Sequence, residues 1–155
     1  MKRQIAKGLA MLMVTLALAA ASAAVANGQS KGRMVAQVPF DFVVNEKTLS
    51  AGEYRVGAID QSGGTIAILN ANGATLRTAH SKERGNRDTT AKLVFHRYGN
   101  TYFLREVWMA GEQSGRELSM SRQERAIERE LGKIAAAHGE KRSLYEIVEV
   151  VAGAR

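Results

Sequence analysis

Between Met34 and Leu118 the chain is a succession of short apolar runs separated by turn residues, and this pattern limits the folds open to it. MVAQVPFDFVV, GEYRVGAI, TIAIL, ATLRTAH, KLVFHRY and TYFLREVWM follow one another with Gly, Asn, Asp or Ser clusters between them. No stretch in this region repeats at the helical period, so the reading is antiparallel β-structure. Asn72-Gly73 and Gly99-Asn100 supply residues that tolerate positive φ and mark two hairpins. The second is flanked by arms rich in aromatic and branched residues and forms the expected centre of the core. Pro39 cannot donate a ladder hydrogen bond, which places its run at an edge or gives it a break. The expected fold class is mainly β: a small antiparallel β-sandwich or partly open barrel of about seven or eight strands.

A short RELSM run can add a further strand, and the period changes at Ser121. Ser121 and Glu124 stand in capping-box spacing, and Ile127, Leu131, Ile134 and His138 recur at helical spacing before Gly139. This predicts one α-helix in the C-terminal half, over about 122–138, with Ile127, Leu131 and Ile134 buried against the β-domain. SLYEIVEVVAG then returns to branched residues and predicts a final strand over about 144–151.

The chain opens MKRQIAKG, continues through an apolar stretch and reaches Ala24-Val25-Ala26, the three-part pattern of a secretory signal peptide over residues 1–26. Its strongly apolar part, Leu9 to Leu18, is shorter than the roughly 20 residues that span a bilayer. Cleavage near Ala26 leaves a single β-rich domain, 27–155, with no membrane span, located in the periplasm or outside the cell. The sequence carries 22 Lys and Arg against 15 Asp and Glu; three of the basic residues leave with the signal, so the exported chain has 19 − 15 = +4. That mild charge makes nucleic acid an unpromising partner. Cysteine is absent, which removes disulfides, thiolate metal sites, a cysteine nucleophile and a lipid-bearing cysteine, and suits a bacterial exported protein held by its core alone.

VPFDFVV (Val38–Val44), LSAGEYRV (Leu49–Val56) and LVFHRYGNTYFLREVW (Leu93–Trp108), in this order, resemble a family of small, signal-bearing, uncharacterised bacterial β-rich proteins. The family pattern is a PFDF strand, an LPAGxYxV corner and an FHRYGxxYFLxxxW hairpin. Ser50 stands where that pattern has proline, and Asn45 where it often has glycine. The resemblance implies a β-rich fold and export, and transfers no catalytic residue.

Candidate chemistry is sparse. The three histidines, His80, His96 and His138, have no zinc-ligand spacing, so no metal and no cofactor is expected. There is no G-x-S-x-G elbow, no S-x-x-K and no phosphate-binding loop. His96 and Tyr98 share one strand face, either as an acid/base pair or as packed surface rings. Strand alternation puts Glu106 on one face with Tyr102, Leu104 and Trp108, where a carboxylate between two aromatic rings can bind a sugar or cation, or pair with Arg97 across the hairpin. Lys82, Arg84 and Arg87 lie in SKERGNRDTT, read as a solvated loop from Ser81 to Thr90 that can contact anions. The PFDF-to-GEYRV stretch reads as a corner between strands and a poor candidate for chemistry.

These residues point to a non-enzymatic, ligand-binding or envelope-associated module with His96, Tyr98, Tyr102, Glu106 and Trp108 as its contact surface. Its partner would be an envelope component, a glycan or a small ligand. Two rivals remain. One is a small hydrolase or isomerase using Glu106 and His96, which requires a pocket that joins them. The other is an assembly component that pairs through the edge of the Pro39 strand.

Overall fold

The structure, a computed structural model, describes residues 33–60, 62–83, 90–138 and 143–154. The segment read as a signal peptide, and Arg84 and Arg87, lie outside them. The elements are β1 (Arg33–Val38), β2 (Phe42–Val44), β3 (Lys47–Leu49), β4 (Gly52–Ala58), β5 (Thr65–Asn70), β6 (Gly73–Glu83), β7 (Lys92–Tyr98), β8 (Thr101–Trp108), β9 (Ser114–Leu118), α1 (Arg122–His138), β10 (Glu146–Val151) and β11 (Gly153–Ala154). The protein is mainly β, with one helix in its C-terminal half.

The strands form one continuous sheet in the order β10-β7-β8-β9-β6-β5-β4-β1-β11. All its pairings are antiparallel except a single parallel bridge between β2 and β8, Val43 to Phe103. The C-terminal segment touches both ends of this order: β10 pairs with β7, and β11, after Ala152, pairs with β1. Ala152 leaves the ladder to donate its N–H to the Ala91 carbonyl. The sheet therefore curls into a partly open barrel without closing.

Alternation along each strand decides the interior. Met34, Ala36 and Val38 of β1, Tyr54 and Val56 of β4, Ile66 and Ile68 of β5, and Leu93 and Phe95 of β7 point inward with Phe42 and Leu104 into one core. Phe42 and Phe95 meet edge-on with ring centroids 5.3 Å apart, a favoured aromatic geometry. Each of the larger of these side chains contributes about 1.5–3 kcal/mol on burial, and together they fill the interior as a packed core.

The break expected at Pro39 is present. β1 ends at Val38 in contact with β4, and after Pro39 the chain resumes as β2 against β3 and β8. Asp41 reaches across to accept the Ala51 N–H at 2.8 Å, which ties the PFDF segment to the SAGEY corner. The expected plain connection from Asn45 to Gly52 is replaced by a tight β2–β3 hairpin: Asn45 (φ 49) and Glu46 (φ 66) form its two-residue turn. A left-handed non-glycine residue costs about 1–2 kcal/mol. Glu46 is held there with its carboxylate accepting the Arg122 N–H at 2.7 Å. That contact lies at the positive end of α1, where a carboxylate is favoured.

Three other expectations need correction. Asn72 does not take positive φ; the β5–β6 turn is closed by the Asn70 side-chain carbonyl accepting the Asn72 N–H at 3.0 Å, with Gly73 at φ 139. The expected loop does not include Ser81, Lys82 or Glu83, because β6 continues to Glu83 and pairs them with Arg116, Gly115 and Ser114 of β9. Ile134 is 56% exposed, since α1 tilts only Ile127 and Leu131 onto the sheet. The Gly99 turn agrees with the sequence, with glycine at φ 60 as the first central residue.

Candidate functional site

β8 contains the feature that rearranges the predicted site. Phe95 opposes Leu104 and Val94 opposes Glu106, so Arg105 is an extra residue, a β-bulge. Alternation is reset at this point. Tyr102 and Leu104 face the interior, whereas Phe103, Arg105, Glu106 and Trp108 face the outer side toward β9 and α1. The predicted face shared by Glu106, Tyr102, Leu104 and Trp108 is thus split in two. Tyr102 stacks on Phe40 at 3.9 Å with Arg97 over its ring, and Glu106 and Trp108 lie on the opposite side.

His96, Tyr98, Glu106 and Trp108 do share the outer face, Glu106 and Trp108 within a polar network and His96 and Tyr98 against the Tyr145 ring. Glu106 forms a hydrogen-bonded ion pair with Lys82 of β6 and accepts the Trp108 indole N–H at 2.8 Å. Burial acts to raise the Glu106 pKa, but Lys82 and the indole N–H together outweigh it and hold the carboxyl below its ordinary value. The hydrogen bond to Glu106 raises the Lys82 ammonium correspondingly. Lys82 therefore serves to tie β6 to β8 as a strand residue. Arg97 instead pairs with Glu146 at 3.1 Å.

Two participants were missed in the sequence. Arg105 bonds Glu124 at 3.3 Å and Glu117 at 3.2 Å. Glu124, 1% exposed, fills only half of its expected capping-box role: its N–H donates to Ser121 Oγ at 3.0 Å, while its carboxylate turns to Arg105 and lies 3.5 Å from His96 Nδ1. The S-x-x-E spacing was visible, but the bulge that brings an arginine to meet it was not.

Covering these groups are Tyr145, which stacks on His96 at 3.8 Å, and the Ile127–Leu131 stripe of α1. Tyr98 is buried here with its hydroxyl unpartnered, and burial, followed by the charges of Glu124 and Glu128, pushes its phenol well above the ordinary range. None of the described cavities is lined by His96, Tyr98, Glu106 or Trp108. No cluster of potential metal ligands occurs among the described residues, and no described helix is long and apolar enough to cross a membrane.

The open face lies elsewhere, on the outside of β1, β4, β5 and β6. Register sets Arg33, Gly57, Ala67 and Leu76 in one row across the sheet and Val35, Arg55, Leu69 and Ala74 in the next. Small residues form a floor, and Ile59, Leu69 and Leu76 stand around it at 58%, 40% and 53% exposure. A cavity of about 230 Å³ is lined by Arg33, Arg55, Gly57, Ile59, Ala67 and Leu69 among others. It adjoins a second of about 500 Å³, which shares Arg55 and Leu69 and continues past Ser50, Glu53, Asn70 and Asn72. The corner that read as a poor candidate for chemistry thus forms the wall of the largest described cavity. Tyr54, whose hydroxyl donates to the Ser50 carbonyl at 2.6 Å and accepts from Asn70 at 3.3 Å, holds that corner in place.

No protein-family model, curated protein or solved structure matches this chain.

Proposed function

We propose that the protein is an exported, envelope-associated binding module without catalytic chemistry, and that its ligand face is the groove outside β1, β4 and β5. The observation that carries this reading is the distribution of partners. On the β7–β8 face Glu106 is engaged by Lys82 and Trp108, and Arg105 by Glu117 and Glu124, whereas among the described residues no hydrogen bond or ion pair engages the side chains of Arg33, Glu53 or Arg55 along an open groove. A concave, partly apolar surface with a few unengaged polar groups is the usual form of a ligand site. Export rests on the signal-peptide pattern of residues 1–26 and on the family resemblance.

The hydrolase or isomerase reading needs Glu106 and His96 to meet a substrate in one pocket, and each already has its own neighbours: Lys82 and Trp108 for the first, Glu124 and Tyr145 for the second. Assembly through the Pro39 strand has little edge to work with, because β1 pairs along its full length with β4 and at Met34 and Val35 with β11.

The test is a thermal-shift screen of the protein, expressed from the full 155-residue chain, against glycans, lipids, anionic polymers and metals. Stabilisation by one ligand class, reduced by substitution at Arg55 and untouched by Glu106→Gln, is the expected result. A stabiliser whose effect depends on Glu106 or His96 would move the site back to the β7–β8 face.

A further inference from the structure

We infer that the groove binds one molecule of a single-chain anionic amphiphile with a polyol head, and this rests on the groove being the ligand face. The chemistry changes in order along it. At the Ile59 end, Gly57 and Ala67 give an apolar floor bordered by Ile59 and Leu69, which accommodates an acyl chain. Arg33 flanks that floor in the Gly57 row and Arg55 stands in the next row beside Leu69, both lining the smaller cavity, with no partner for either guanidinium among the described residues. Two such cations beside an apolar floor are the complement of an anion attached to a hydrocarbon tail. Beyond Arg55 the groove widens and becomes polar, with Ser50, Glu53, Asn70 and Asn72 along its wall.

Glu53 decides where the anion sits. A second negative charge is disfavoured beside it, so the phosphate or carboxylate is confined to the arginines. Glu53 and the Asn72 amide then accept and donate to neutral hydroxyl groups of the head. A neutral glycan would leave the arginines and the apolar floor unused, and a fatty acid would leave the larger cavity empty. Bound this way, a lipid covers Ile59 and Leu69, which accounts for such residues standing exposed on a β-sheet.

Calorimetric titration with decanoyl lysophosphatidylglycerol, kept below its micellar concentration, tests this. One equivalent should bind, with decanoyl lysophosphatidylcholine, decyl maltoside and glycerol 3-phosphate each weaker by at least about tenfold, because each lacks the net charge, the anion or the tail. Arg55→Ser should weaken binding about tenfold, and Ala67→Phe should abolish it by filling the floor. Leu69→Glu, at an exposed position, keeps the test decisive should Ala67→Phe fail to fold. Lys133→Ser, on the exposed side of α1, should change nothing. Equal affinity for the zwitterionic lipid, or an unchanged Arg55→Ser, overturns the inference. So does binding to phosphatidylglycerol vesicles without binding to the monomeric lipid, which would indicate docking on a membrane. A glycan or other compound that stabilises the protein where the lysolipid does not overturns this ligand class and leaves the binding module standing. No stabiliser of any class overturns both.

Discussion

Glu124→Ala removes the buried carboxylate that faces Arg105 and His96 between the sheet and α1. Glu124 is 1% exposed, so its carboxylate is withdrawn from bulk solvent, and on its removal Arg105, itself buried, keeps only Glu117 at 3.2 Å. Breaking a buried ion pair by deleting one partner costs about 3–5 kcal/mol. The remaining contact to half-exposed Glu117 puts this case at the low end, about 3 kcal/mol. The helix start is unaffected, because Glu124 donates to Ser121 Oγ through its backbone N–H. For a domain of this size such a loss lowers Tm by about 10 °C. Calorimetry measures this directly, and urea titration gives the same loss as a shifted midpoint with an unchanged slope. The companion variant is Arg105→Met with Glu124→Leu, which replaces the pair by apolar groups and should recover most of the stability, since exchanging a buried ion pair for packed hydrophobic residues is often neutral. A loss below about 1 kcal/mol for Glu124→Ala, or a double variant less stable than the sum of the two single changes, would overturn this account of the pair.

Four further outcomes follow from the same geometry. The folded-state pKa of Glu106 lies below its ordinary 4.5, so its ion pair contributes stability that is present above that pH and lost as pH falls through the folded value. Glu106→Gln should flatten this part of an acid stability profile and cost about 1–2 kcal/mol at neutral pH, a figure held down by the partial exposure of Lys82. At the alkaline end the Lys82 contribution is full below its ordinary 10.5, and it should decline as pH rises above that value and be gone once pH has passed the elevated folded value, in the same titration. Gly115→Ala should destabilise by about 1–3 kcal/mol through overpacking. An added Cβ there would lie 2.5 Å from the Trp108 ring, and an unchanged denaturation midpoint would contradict that close approach. Tyr98→Phe removes a buried hydroxyl that has no partner. It should leave stability unchanged or raise it by up to about 1 kcal/mol, whereas a clear loss would reveal a hydrogen bond to that oxygen.

The fold was largely legible because its signals are local. Alternating apolar residues, Gly99 at the hairpin and the chain break at Pro39 each act within a few residues, and each appears where the sequence puts it. The same local rule explains the main miss. Strand alternation carries side-chain direction along β8 only while the register holds, and one extra residue at Arg105 moves Glu106 to the other side of the sheet from Tyr102. Nothing in TYFLREVW announces a bulge. It arises where β8 leaves its bridge to β2, about 60 residues away in sequence, at Phe103 and takes up β9 at Glu106, so it depends on a strand that the local sequence does not contain.

Glu124 and the groove belong to the same category. Short strands, a single capped helix and the lack of cysteine chemistry could be read from the chain alone, since they depend on neighbouring residues and on composition. The assembled sheet was needed to turn the capping-box glutamate inward to an arginine, to bring Lys82 of β6 to Glu106 of β8, and to set Arg33, Arg55 and the SAGEY corner along one open groove. The difference is one of range: backbone preference and side-chain periodicity are set within a turn or a strand, whereas charge pairing and concavity depend on which strands the sheet brings side by side.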